Sequence, residues 1–248
     1  MLISNAEYVS IEITRRCNMC CDHCLRGDAE DIDIQEKYID AFLDKFVNGA
    51  GIYTICITGG EIMLNIPAIR YLLAAVKKRN ISVGSFYMVT NGKDSSKALD
   101  LAMASLEWWS YCAECDGEPD YAGICISSDE FHEDISSTTK EILSGLSYYR
   151  NDKERSYTTN GLLNEGRAKN LSSSAFKKYE PFENALCIEK ESDELISVHE
   201  EQLYLNALGD IVAGCDWSYE SQQERVICNV MDDNWTDKLL TSKYCNLS

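Results

Sequence analysis

The chain has 248 residues, 45% of them apolar, with 23 basic against 41 acidic side chains and a net charge of −18. That supplies the core of one large α/β domain or a domain plus a small appendage, while the carboxylate excess opposes any broad phosphate-gripping surface, so extended nucleic-acid binding is not expected. No apolar run reaches the roughly 18–20 residues of a membrane span, and MLISNAEYVSIEIT lacks a basic stretch followed by an apolar one, so a cytoplasmic protein with no membrane contact is expected.

Tyr8–Thr14 alternates and is β-branched, which predicts a strand. After it, Cys17, Cys20, Cys21 and Cys24 crowd into eight positions of ITRRCNMCCDHCLRG. Ile34–Val47 has helical spacing at Ile39, Phe42, Leu43 and Phe46, and Ile52–Thr58 reads as a buried strand ending in Gly59-Gly60. Pro67–Lys78 predicts a helix, with proline at the first position, where no N–H is needed, and lysines in the last turn. Val83–Thr90 is a strand closed by Asn91-Gly92, Ser96–Tyr111 a helix, Ala122–Ser127 a short buried strand and Thr138–Tyr149 a helix. Strands alternating with helices argue for parallel βα units and a full or partial (β/α) barrel.

The rhythm weakens after Tyr149. Thr158–Asn170 is loop-rich, and QLYLNALGDIVAGC predicts two strands around a Leu208-Gly209-Asp210 turn. The expected division is a core domain over 1–180 and a small extension over 181–248.

Twelve cysteines are many for a chain without a secretory signal. Disulfides do not persist in a reducing cytosol, so a tight cluster there reads as metal-binding or redox-active. Only His23, His132 and His199 are present, so iron–sulfur ligation fits better than a histidine-rich site. Taken alone, the quartet parses as Cys17-x3-Cys21-x2-Cys24, as Cys17-x2-Cys20-x3-Cys24, or as four ligands. Four thiolates close a [4Fe–4S] cube, and three leave one iron open.

The first parse resembles the CxxxCxxC signature of the radical S-adenosylmethionine (SAM) superfamily. Thr14 ends the preceding strand, Asn18 follows the first cysteine, and His23 stands at the usually aromatic position before the last. TGGE (Thr58–Glu61), TNG (Thr90–Gly92), SSDEFH (Ser127–His132) and GRA (Gly166–Ala168) fall where that superfamily places its SAM contacts, although Ile62 replaces a frequent proline. The resemblance covers about Tyr8 to Asn170 and implies a partial (β/α)6 TIM-like barrel. It implies that Cys17, Cys21 and Cys24 hold a [4Fe–4S] cluster whose open iron takes SAM's amine and carboxylate. Gly59, Gly60, Glu61, Asn91, Ser127, Asp129 and Arg167 are then SAM contacts: the glycines for close approach, Glu61 for the ammonium, Arg167 for a carboxylate or ribose. The implied chemistry is one-electron cleavage of SAM to a 5′-deoxyadenosyl radical that abstracts hydrogen from a peptide or small metabolite, with a reductase such as flavodoxin or ferredoxin as electron donor. A nucleotide or nucleobase substrate is the alternative within the class. A non-catalytic electron carrier or sensor using all four clustered cysteines is the alternative outside it.

The tail LYLNALGDIVAGCDWSYE with RVICNV resembles the start of SPASM/twitch extensions, without their dense cysteine run. That likeness implies a possible second iron–sulfur cluster on Cys187, Cys215 and Cys228, against the plainer reading of buried thiols and a capping hairpin. Cys20 is expected as a spare buried or half-buried thiol, Cys56 and Cys125 as core. Cys112-x2-Cys115 has no second pair to join, and Trp108 and Trp109 are expected to pack. His132 divides between a turn residue and a contact near SAM. The acidic run Asp28–Asp33 needs no role beyond surface charge.

Overall fold

The computed structural model describes residues 1–121, 123–151, 161–181 and 186–247. The expected strand start at Ala122 and the opening Thr158–Asn160 of the loop-rich passage lie outside the described residues. Strand β1 (Leu2–Thr14) starts well before the expected Tyr8, because Ile3 and Ala6 are themselves buried. Helix α1 (Glu36–Leu43) buries Ile39, Phe42 and Leu43 as its spacing foretold, but it stops short of Phe46. Phe46 instead opens strand β2 (Phe46–Gly59), where it pairs with Ile3 of β1. A long-range parallel pairing has claimed residues that local periodicity assigned to the helix.

Helix α2 (Ile66–Lys78), strand β3 (Ser82–Thr90), helix α3 (Ala98–Glu114), strand β4 (Gly123–Ile126) and helix α4 (Ser137–Ser144) follow. Two-residue strands β5 (Leu162–Leu163) and β6 (Lys178–Tyr179) form a separate small sheet. The chain then makes β7 (Leu186–Lys190), β8 (Leu195–Leu205), β9 (Asp210–Ala213), helix α5 (Tyr219–Gln223), β10 (Val226–Asn229), helix α6 (Trp235–Thr241) and β11 (Cys245–Leu247).

The central sheet runs β10-β9-β8-β1-β2-β3-β4, with β7 on β8 and β11 on β7. From β8 to β4 every neighbouring pair is parallel. The barrel expected from the sequence is therefore changed in two ways. Among the described residues four βα units are present rather than six, and the sheet grows on the far side of β1 through β8. Leu203 to Leu205 of β8 pair antiparallel with Ala213 to Ile211 of β9, with the turn at Leu208-Gly209 between them. The segment after residue 180 thus builds part of the main sheet.

Period-two alternation divides the strands between two faces. Val9, Ile11 and Ile13 of β1, Ile55 and Ile57 of β2, and Phe86 and Met88 of β3 join Ile39, Leu72, Leu101 and Trp108 of the helices in one apolar core. The opposite face carries Tyr8, Ser10, Thr54, Cys56, Thr58 and Tyr87, a polar lining that a core would not tolerate. Trp108 is fully buried and donates from Nε1 to the Ile69 carbonyl, and Trp109 stacks on Tyr148, so both pack as expected. Among the described residues no helix is long and apolar enough to cross a membrane.

Candidate active site

The cysteine loop starts where β1 ends, and arginines pin its first turn. Arg15 is buried and donates to Glu12 Oε1 (2.7 Å), Glu30 Oε2 (2.8 Å) and Gln222 Oε1 (2.8 Å). Arg16 pairs with Asp33 and donates to the Leu64 carbonyl. The β2 end is hydrogen-bonded to this turn, Gly60 N–H to Thr14 O and Glu61 N–H to Arg16 O, each at 2.8 Å. A Cβ on Gly60 would stand 2.4 Å from Arg16 O, and one on Gly59, at φ +154°, 2.3 Å from Thr14 O. The glycines therefore allow strand end and cysteine loop to touch, rather than serving only ligand approach. Both still line the cavity beside the loop.

That cavity, about 240 Å³, is lined by Cys17, Cys21, Cys24, Asn91, Ser127 and Asp129 among others. A smaller one of about 50 Å³ is bounded by the same three cysteines, Gly59, Gly60 and Arg167. Cys20 borders neither. It is exposed, and its Sγ accepts from Arg167 Nη1 at 2.8 Å. Arg167, expected at a SAM carboxylate or ribose, also pairs with Asp28 at 3.3 Å, and its backbone N–H donates to Cys24 O.

Glu61 is 1% exposed. Its Oε1 accepts from Met63 N–H (2.8 Å) and Thr90 Oγ1 (2.6 Å), and its Oε2 from Asn91 N–H (2.6 Å). The carboxylate so ties the ends of β2 and β3 together, and only Oε2 keeps capacity for an ammonium. Burial pushes its pKa above the ordinary carboxylate value, against these hydrogen bonds. Asn91 Nδ2 donates to Asn18 Oδ1 at 2.9 Å and lies 3.7 Å from Cys17 Sγ.

At the β4 end, Ser127 N–H donates to Thr90 O, and Asp129 gathers two histidines. Asp129 Oδ1 lies 2.7 Å from His132 Nδ1, and Oδ2 lies 3.4 Å from His23 Nε2. Burial opposes ionisation of Asp129, yet the two histidines hold its carboxyl well below the usual range. Burial also disfavours charged His132, but Asp129 and a hydrogen bond with Cys21 push it up to about 9. The His23 ring stacks on Phe131 with centroids 4.5 Å apart. The sequence offered His132 as a turn residue or a contact near SAM, without its pairing to Asp129. The junction of both histidines on one carboxylate needs the loop fold to appear.

The three tail cysteines are not brought together. Cys187 sits on β7 with Cys245 as its thiol neighbour, Cys228 is buried with its Sγ directed at Trp235 O, and Cys215 lies beside Asp216 and Cys56. The SPASM-like passage has kept its hairpin without a shared thiol site among the described residues. Cys125 is buried as expected, while Cys56, expected in the core, is half-buried on the polar face.

The chemistry of the donors suits an iron–sulfur cluster. Three thiols meet at one small cavity, and Asn91 offers an N–H group to Cys17, the kind of outer partner that cluster sulfurs take. Such a donor set, on a mostly parallel α/β sheet, is one that an iron–sulfur cluster would fit. Residues 10–108 match the family model described as "4Fe-4S single cluster domain". The chain is 31% identical over 71 residues to "Putative peptide biosynthesis protein YydG" of Bacillus subtilis (strain 168), covering 28% of this chain and 22% of that protein. It is 32% identical over 98 residues to "GTP 3',8-cyclase" of Chlorobaculum tepidum, covering 38% of this chain and 28% of that protein. The matches thus span about a quarter of the length of these curated relatives. Among solved structures, a polyhistidine-tagged anSMEcpe with bound AdoMet aligns with TM-score 0.55 and 14% identity, over 96% of this chain and 81% of that one. "Native anSMEcpe with bound AdoMet and Kp18Cys peptide" aligns with TM-score 0.53 and 13% identity, over 97% and 81%. The chain is thus similar to a single-cluster 4Fe–4S domain over residues 10–108, and similar in fold to the two structures with bound AdoMet.

Proposed function

We propose that this protein is a radical SAM enzyme in which Cys17, Cys21 and Cys24 hold a [4Fe–4S] cluster and the adjoining cavity receives SAM. One observation carries the reading: the three thiols share the cavities with the Gly59-Gly60, Asn91 and Ser127–Asp129 strand ends, while Cys20 turns away onto Arg167. A four-thiol carrier or sensor would have Cys20 facing inward with the others. When bound and reduced, by a flavodoxin or ferredoxin, the cluster supplies the electron that cleaves SAM to a 5′-deoxyadenosyl radical.

The chain's own residues bind and orient. Asn91 sets the sulfur of Cys17 through its side-chain N–H, and His132 is held beside the loop by Asp129. Glu61 fixes two strand ends and offers Oε2 to SAM's ammonium, while Ser127 and the Asp129 loop form the opposite wall. Residues 1–180 supply these groups, and the extension over 181–248 adds strands to the sheet beside β1. A single cluster is proposed, since the tail thiols lie apart.

For substrate, we infer a peptide, supported by the naming of YydG for peptide biosynthesis and by the peptide in one aligned structure. The GTP 3',8-cyclase match favours a nucleotide as the second reading. Electron paramagnetic resonance of the anaerobically reconstituted, reduced protein tests the class. A signal that shifts on adding SAM supports an open iron. A full cube indifferent to SAM ends the proposal.

A further inference from the structure

The polar face of the sheet holds a second chamber, about 340 Å³, next to the cysteine cavity, and Arg26 and Thr58 line both. Tyr8 and Ser10 of β1, Cys56 of β2 and Tyr87 of β3 form its strand walls. A substrate reaching toward the cysteine cavity has this space beside it.

Arg26 shares the chamber wall with Arg150, whose guanidinium stands 5.9 Å from the Tyr87 ring centroid, and like Arg150 it makes no ion pair among the described residues. Arg26 Nη1 donates to Trp217 O at 2.7 Å, and its guanidinium stands 5.2 Å from the Tyr204 ring centroid. Arg15, Arg16, Arg70, Arg79 and Arg167 each pair with a carboxylate. Among the described residues Arg26 has no such ion pair, in a chain with 41 acidic side chains. Glu12, whose charge faces it, is occupied by Arg15 Nε, Ala207 N–H, Tyr204 Oη and Gln222 Nε2. Asp216 on the chamber wall accepts from Cys215 Sγ at 3.7 Å. Five N–H donors in a planar fork, with one bonded, suit a carboxylate held by two parallel hydrogen bonds.

We propose that Arg26 determines substrate specificity by receiving a substrate carboxylate in this chamber, beside the SAM cavity. The proposal rests on the radical SAM reading of the adjoining site. The carboxylate comes from an acidic side chain or from the C-terminus of a peptide.

The test uses the anaerobically reconstituted protein with SAM and fluorescent short peptides in three forms. One is capped at both ends with a single Glu, the second is its Gln counterpart, and the third is the Gln peptide with a free C-terminus. Binding is read by anisotropy in wild type and Arg26→Gln, and SAM binding by the resonance shift in both. The expected result is a preference of about tenfold or more for one carboxylate form over the capped Gln peptide, abolished in Arg26→Gln. Preference for the Glu form assigns a side-chain carboxylate, and preference for the free C-terminus assigns the terminal one. Equal binding of all three forms to wild type overturns the proposal without any variant, so a misfolded Arg26→Gln does not shield it. A variant that loses SAM and keeps the peptide preference also overturns it, because Arg26 then serves SAM's carboxylate. If wild type itself shows no SAM shift, the radical SAM reading fails first.

Discussion

Arg167 Nη1 donates to Cys20 Sγ at 2.8 Å, across 147 positions of sequence, and this contact sorts the cysteine loop into three inward thiols and one outward. Cys20→Ala is therefore expected to keep the wild-type iron and labile sulfide after anaerobic reconstitution. Cys21→Ala is expected to lose most of both. Equal loss in the two variants would point to a four-thiol, closed cluster.

Glu61 holds β2 to β3 through one carboxylate with three donors at 2.6–2.8 Å. Glu61→Gln keeps the shape but turns an NH2 toward at least one N–H or hydroxyl donor. Leaving such a buried group unsatisfied costs about 1–3 kcal/mol, so a lower Tm is expected together with weaker SAM binding. The same Tm as wild type would show that the carboxylate is not the tie described above.

The local signals were legible: strand alternation, helix spacing, the cysteine loop and the glycine turn each mark an element that forms, although β1 and β2 begin well before their reading and α4 ends before its own. What stayed hidden was non-local. Nothing in LISNAEY states that Ile3 pairs with Phe46, or that Ala6 pairs with Val198 of β8. The tail hairpin was readable from its Leu208-Gly209-Asp210 turn, but its edge partner was not. The same holds at the site. Cys17, Cys21 and Cys24 follow from the resemblance their spacing carries, whereas the Asp129 junction of His23 and His132, and the setting of Arg26 against Trp217 and Tyr204, exist only once distant loops meet.

Gly166 shows how such a meeting is enforced. It has φ +54°, and a Cβ there would stand 2.2 Å from Leu25 O and 2.4 Å from Cys24 O. Both obstacles are backbone of the cysteine loop, which cannot swing aside as a side chain can. Gly166→Ala is therefore expected to displace the loop and lower cluster retention, read as iron bound per chain after gel filtration. Gly49→Ala is the control: φ is +84°, but nothing lies within 4 Å of its Cβ. It should cost about 1–2 kcal/mol of backbone strain and leave cluster content unchanged.

Glu165 anchors the same turn from the other side. It is buried and accepts from Ser218 Oγ, Ser221 Oγ (2.8 Å) and Lys169 Nζ (3.0 Å), tying the Gly166 turn to the start of α5. Burial opposes its charge, but these hydrogen bonds bring its carboxyl from the ordinary 4.5 down to about 2. A carboxyl more acidic in the folded than in the unfolded chain adds stability that is fully present above the unfolded value. That stability disappears as pH falls through the folded one. The window is thus from about 4.5 to about 2. Denaturant melts of the iron-free chain should show wild type more stable than Glu165→Gln by about 1–3 kcal/mol at neutral pH. The gap should close progressively below about pH 4.5 as the wild-type carboxyl takes up its proton. A gap that stays constant down to about pH 2 would mean that shape, and not charge, is what Glu165 supplies to the turn.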